Sequence, residues 1–138
     1  MNLERQNIVI IGASGAIGNA FTRLVSKKNP NASLFAFSRN GELQIDYNSE
    51  FSIAEAAELA AKERPLDLVI VANGILYDDE IMPEKSLRDL SAKKFHHIFG
   101  VNTIIPALIA KYFLPKLNRE QSSIFAALSA RVGSISDN

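Results

Sequence analysis

Three of the chain's seven glycines, Gly12, Gly15 and Gly18, fall inside one short window, Gly12-Ala13-Ser14-Gly15-Ala16-Ile17-Gly18. No other feature restricts the fold as much. Ahead of it stands the apolar β-branched run 8–11, framed by Asn7 and Gly12, which suits a buried strand. Behind it Ile17, Phe21, Leu24 and Val25 recur at helical spacing until Asn29-Pro30 stops the pattern. Glycine in a strand-to-helix turn allows positive φ and lets a phosphate come close to the backbone. The helix that follows offers free N–H groups and a positive dipole end to an anion. Gly18 inside that helix costs about 1 kcal/mol of propensity against alanine, which a close helix–strand or helix–ligand contact would explain. The window predicts a dinucleotide-binding turn; the bland alternative is a tight glycine turn with no ligand.

The rest of the chain alternates in the same way. Residues 34–37 read as a second strand followed by a turn at 38–41, and 43–45 as a short third strand. Residues 51–62, rich in alanine and glutamate, predict a helix that ends before Pro65. A fourth strand at 68–71 runs into the loop signal Ala72-Asn73-Gly74, and an irregular stretch continues to Leu90. Ser91 is placed to cap a helix through Phe99, with the helical pattern resuming to about Leu117. Residues 123–128 are the last strand candidate and 130–138 read as loop. Strands alternating with helices predict an α/β fold: a Rossmann-type, doubly wound parallel sheet in three αβα layers. At 138 residues the expectation is one NAD(P)-binding domain over 1–138.

Composition narrows the function. Zero cysteines exclude a disulfide scaffold, a thiolate nucleophile and Cys-ligated zinc. Fifteen Lys and Arg balance fifteen Asp and Glu, which gives no electrostatic footprint for nucleic acid or an anionic membrane. The apolar run at 8–11 is too short for a signal-peptide core, and 98–114 is interrupted by Asn102, Pro106 and Lys111. A cytoplasmic protein is expected.

The second strand identifies the dinucleotide. An acidic residue at its end would bind the ribose 2′-hydroxyl of NAD, whereas an arginine suits the extra phosphate of NADP. Here the strand ends in Ser38-Arg39, about 20 residues past Gly18, and no Asp or Glu occurs from Asn29 to Gly41. NADP is expected, with NAD the alternative should Arg39 be only a solvated charge. Asp46 is placed either to accept a hydrogen bond from adenine or to cap a turn.

Taken together these residues resemble the N-terminal portion of a short-chain dehydrogenase/reductase, of the C-factor-like and carbonyl-reductase-like kind. The glycine window resembles the family's T-G-x-x-x-G-x-G loop, with Ile11 for the threonine and Ala16 for the middle glycine. Val71-Ala72-Asn73-Gly74 resembles a degraded form of its N-N-A-G turn, which implies that Gly74 and Asn73 line the cofactor. Phe99-Gly100-Val101-Asn102-Thr103 matches the segment carrying the family's helix asparagine and implies a catalytic role for Asn102, whose carbonyl would hold a water. Independently, Pro106 has no N–H, so that carbonyl loses its helical partner. The strand at 123–128 followed by Ser129-Ala130 resembles the serine strand; Ser129 matches the catalytic serine, with Ser134 a fallback.

The resemblance implies a cofactor loop of Gly12, Ser14, Gly15, Ile17 and Gly18, with Arg39 selecting the phosphate. It further implies an NADP-dependent oxidoreductase acting on a small carbonyl or alcohol, and a homo-oligomer. The family's Tyr-x-x-x-Lys segment follows the serine, and Tyr47, Tyr77 and Tyr112 all precede it. That segment is therefore expected beyond residue 138, and the 138 residues alone are expected to be inactive. The alternative implied is a non-catalytic dinucleotide-binding protein with a signalling role.

Other candidates read as structural. His96 and His97 are adjacent, so they point about 100° apart on a helix and form no i, i+4 metal pair. No metal site is expected. Asp78-Asp79-Glu80 reads as a solvated loop. The glycine window lacks the Gly-Lys-Ser/Thr ending of a P-loop.

Overall fold

The computed structural model describes residues 6–78 and 81–137. Five strands form one parallel sheet: β1 (Asn7–Ile11), β2 (Ser33–Ser38), β3 (Leu43–Gln44), β4 (Leu68–Val71) and β5 (Ile124–Ala127), in the order β3-β2-β1-β4-β5. Every residue of β1 is buried, as a continuous apolar run paired on both sides should be. Ile11 lies opposite Phe37 of β2 and Val71 of β4, and Val71 lies opposite Ala127 of β5. The C-terminal ends of four strands therefore form one row, and the residues that follow them share one edge of the sheet.

Helices cover both faces. On one face α1 (Ala16–Lys28) packs Val25 and Phe21 against Ile8, Ile10 and Ile70. On the other, α2 (Glu50–Ala61) and α4 (Ile105–Phe113) pack Ile53, Ala57, Ile109 and Phe113 against Val9, Ile11, Phe37 and Val69. The alternation of Ile8 and Ile10 with Val9 and Ile11 between the two cores follows from the two-residue period of a strand. Ser49 caps α2 by accepting from the Ser52 amide at 3.2 Å. Ser91 caps α3 (Ala92–Phe99) by accepting from the Lys94 amide at 3.2 Å, as its position predicts. The expected αβα Rossmann class is the observed one.

Boundaries differ by one or two residues at most elements, and two stretches read as irregular carry 3₁₀ turns: Leu87–Asp89, and Arg131–Gly133 with Ile135–Asp137. The larger difference lies between α3 and α4. Gly100–Ile104 is a π-helical turn, so the helical run from Ala92 to Lys116 is continuous but wider at its middle. By length and composition this run is apolar enough to cross a membrane; Ile105, Ile109 and Phe113 put its inner stripe into the core. The last strand, β5, is an edge strand that leaves Ile124 and Leu128 exposed.

Candidate functional site

In this strand order the chain crosses from β1 toward β2 on one side and toward β4 on the other, which opens a crevice at the carboxyl ends of β1 and β4. The glycine turn occupies it. Gly12 takes φ +82°, and its amide and that of Ala13 both donate to the Phe37 carbonyl at 3.0 Å. The turn closes when the Gly15 amide donates to the Gly12 carbonyl at 3.1 Å. A Cβ on Gly12 would fall 2.8 Å from the Asn73 backbone nitrogen, and one on Gly18 would fall 2.1 Å from the Gly12 carbonyl oxygen. Gly18 is buried where α1 crosses the turn, so the helix–strand contact accounts for it. Gly15 is the α1 N-cap residue and exposed, so backbone packing does not account for it as it does for the other two.

A cleft of about 880 Å³ extends from this turn. It brings together seven of the residues singled out from sequence: Gly12, Ser14, Gly15, Arg39, Asp46, Asn73 and Gly74. Ile17, Gly18, Asn102 and Ser129 are not in its wall. Ile17 is exposed on α1, and Ser129 stands just past β5, after Leu128 has donated its amide to the Val71 carbonyl at 3.0 Å. Ser134 lies farther along, its hydroxyl 3.0 Å from that of Ser136.

Arg39 is exposed at the β2 end of the cleft. Asp46 Oδ1 accepts from the Asn48 amide at 2.9 Å, so the turn-capping role is present, and the residue also lines the cleft. Tyr47 lines the cleft beside it. Its hydroxyl is buried without a hydrogen-bond partner. Burial pushes the phenol up, tempered by the nearby Gly12 backbone and the Arg39 charge, so it stays an O–H group at neutral pH.

The other wall is the loop after β4 together with α3 and the π turn. Pro106 supplies no N–H to Asn102 in α register or to Val101 in π register. The Ile105 amide instead donates to the Gly100 carbonyl, five residues back. The Val101 carbonyl is taken by Asn73 Nδ2 at 3.0 Å, leaving Asn73 Oδ1 buried and unpartnered. The Asn102 side chain grips the loop twice: Oδ1 accepts from the Ile75 amide at 2.9 Å and Nδ2 donates to the Ile75 carbonyl at 2.7 Å. Both asparagine side chains thus act between loop and helix.

His96 and His97 do not sit on an isolated helix surface. Both line the cleft, and His97 Nε2 lies 2.8 Å from Asp78 Oδ2, so the fold supplies the carboxylate that the local sequence lacks. Asp79 and Glu80, the rest of that acidic run, lie outside the described residues. Among the described residues no three His, Asp or Glu side chains converge on one point. The Tyr-x-x-x-Lys spacing expected only beyond residue 138 does occur within the chain, as Tyr112 and Lys116. Neither lines the cleft: the Tyr112 hydroxyl donates to Glu50 Oε1 at 2.6 Å, and Lys116 pairs with Glu58.

Glycine turn, parallel order and switch-point cleft define a Rossmann-type α/β protein. Among solved structures this is the fold of the short-chain dehydrogenases/reductases. A carbonyl reductase from Pseudomonas aeruginosa matches 95% of this chain at TM-score 0.78 and 21% identity, over 64% of its own length. An NADPH-bound carbonyl reductase from chicken fatty liver matches 97% at TM-score 0.77 and 20% identity, over 61% of its length. A Serratia marcescens short-chain dehydrogenase/reductase variant matches 94% at TM-score 0.76 and 13% identity, over 59%. The chain thus spans about six-tenths of the length of these proteins. No family model and no curated protein sequence matches it.

Proposed function

We propose that the chain is the dinucleotide-binding part of a short-chain-type oxidoreductase that takes NADP and acts on a small carbonyl or alcohol. One observation carries this reading: the glycine turn, Arg39, Asp46, Asn73 and Gly74, far apart in sequence, line a single cleft at the switch point. The cleft suits a dinucleotide. Its volume falls within the roughly 300–1,000 Å³ of small-molecule sites, and Gly15 leaves the N-terminus of α1 bare of side chain.

In this reading the backbone amides of residues 12–15 and the α1 N-terminus hold the pyrophosphate. Arg39 pairs with the ribose phosphate, and no carboxylate on β2 or at residues 39–41 competes for it. Gly74 and the adjoining backbone form the wall on the β4 side. The bound nicotinamide supplies or receives hydride. The Asn102 carbonyl, on the π turn, orients a water. The Ser129 hydroxyl, at the sheet edge beyond β5, donates to the substrate oxygen and stabilises charge developing there. Tyr47 lies beside β3, at the far side of the sheet from β4 and β5, and Tyr112 is held by Glu50. Neither is placed to serve as the Tyr-x-x-x-Lys acid, and in this reading these 138 residues bind without turning over.

Titration with NADPH and NADH, on the wild type and on Arg39→Asp, tests the reading. NADPH should bind more tightly to the wild type and lose that advantage in the variant. An unchanged preference refutes the assignment of Arg39.

A further inference from the structure

The cofactor reading assigns nothing to the contact between Asp78 and His97, although both line the cleft. The contact joins the loop after β4 to α3, nineteen residues along the chain, with Nε2 and Oδ2 2.8 Å apart. Asp78 is fixed before it meets the imidazole. Its Oδ1 accepts from the Ile81 amide at 2.9 Å, and its own amide donates to the Ile81 carbonyl at 3.0 Å. The two side chains are 44% and 36% exposed, so Coulomb attraction between them is well screened and contributes little to stability. What the contact supplies is orientation.

The π turn explains why His97 can reach the loop. In an unbroken α-helix each residue advances 100°, so His97 and Asn102 would point about 140° apart and could not grip the same segment. A wider turn closed five residues back brings positions five apart toward one side of the helix. Here both side chains meet the one loop: Asn102 holds Ile75 at two atoms, and His97 holds Asp78. The stretch 75–78, with Gly74 just ahead of it, is pinned at both ends.

We propose that His97 and Asp78 form a second clamp on this loop, completing the one made by Asn102, and act as positioning residues that hold the 74–78 wall ready for the dinucleotide. The proposal rests on the cofactor reading above. Three variants of the full chain test it: His97→Leu, which removes the donor; His97→Gln, whose amide keeps one at similar reach; and His97→Leu with Asp78→Ala. The measurements are NADPH affinity and backbone amide exchange at residues 75–78. His97→Leu should weaken NADPH about tenfold, the scale of re-ordering one loop residue on binding, and speed exchange in the loop. His97→Gln should stay within about twofold of the wild type on both measurements, and the double variant should be at least as weak as His97→Leu, since Asp78→Ala also removes the acceptor of the Ile81 amide. Wild-type affinity in His97→Leu overturns the proposal, as does faster exchange with affinity unchanged, or a glutamine variant as weak as leucine. Failure of the wild type to bind either NADPH or NADH overturns the cofactor reading and this proposal together, whereas the former results leave that reading standing.

Discussion

Gly18→Ala sets helix propensity against packing at one atom. In an exposed helix the change should stabilise by about 1 kcal/mol, because alanine loses less backbone entropy than glycine. At this position the new Cβ would stand 2.1 Å from the Gly12 carbonyl oxygen, 2.7 Å from its carbon and 3.0 Å from the Ala13 Cα. All three are backbone atoms of a closed turn. The Gly12 amide is bound to Phe37, its carbonyl accepts from Gly15, and its φ is +82°. No flexible side chain can yield, so α1 and the turn must part by roughly 1 Å, an overpacking change that costs about 1–3 kcal/mol. With a rigid partner the upper end applies, and after the propensity gain the net loss should be about 2 kcal/mol. Urea unfolding of both chains at neutral pH measures it, with equal slopes certifying that the midpoint shift reports stability. A Gly18→Ala chain that unfolds at the same urea concentration as the wild type, or a higher one, would refute the packing account of this glycine.

Gly15→Ala is the companion: its Cβ meets only the Gly12 oxygen at 3.4 Å, so stability should change by less than about 0.5 kcal/mol while NADPH affinity falls, both readable from one preparation. Asn102→Ala removes both bonds to Ile75 and should cost about 1 kcal/mol in urea unfolding, since water replaces them in part. Lys111 and Tyr112 beside Glu50 hold its carboxyl below the usual carboxylate range, so that pairing stabilises above that range and is lost as pH falls through it. Glu50→Gln should therefore lower the thermal midpoint at pH 7 and converge with the wild type in acid; a constant offset at every pH counts against the pairing. Phe95 and Phe99 stack at 6.1 Å on the exposed side of α3; a homo-oligomer that buries this pair predicts that Phe99→Asp shifts light-scattering mass toward the monomer, and an unchanged mass counts against that face.

The fold was legible because its determinants are local. Four residues of β1 pack with a period of two, Ser49 and Ser91 sit at helix starts, and the glycine window falls between a strand and a helix; each is read without knowing what lies across the sheet. Parallel order follows from the alternation of strands and helices. The cleft was legible for the same reason: in a parallel sheet the loops after β1, β2, β3 and β4 reach one edge, whatever the loops contain.

The wall on the α3 side was not legible, because its contacts join residues whose neighbours in sequence give no sign of them. Asn73 resembles a cofactor residue from its motif, yet its amide nitrogen answers a carbonyl that Pro106 and the π turn leave open at Val101. Pro106 alone foretold a broken bond at Asn102, correct for an α-helix. The π register moves the vacancy back by one residue, where the loop supplies the donor that fills it. His97 shows the same dependence: on a regular helix it would turn away from the segment that Asn102 holds, and Asp78 lies on a loop with no periodicity to place it. A missing proline N–H, a widened turn and a loop that offers an amide, a carbonyl and a carboxylate are one arrangement, and only the folded chain places them together. The prediction that isolates it is Pro106→Ala. Restoring the N–H lets the helix close in α register on the Asn102 carbonyl, which would turn His97 and Asn102 apart and release the loop. Faster amide exchange at residues 75–78, with helix content unchanged by circular dichroism, is the expected result; exchange as slow as in the wild type would mean that the loop contacts, and not the proline, set the π turn.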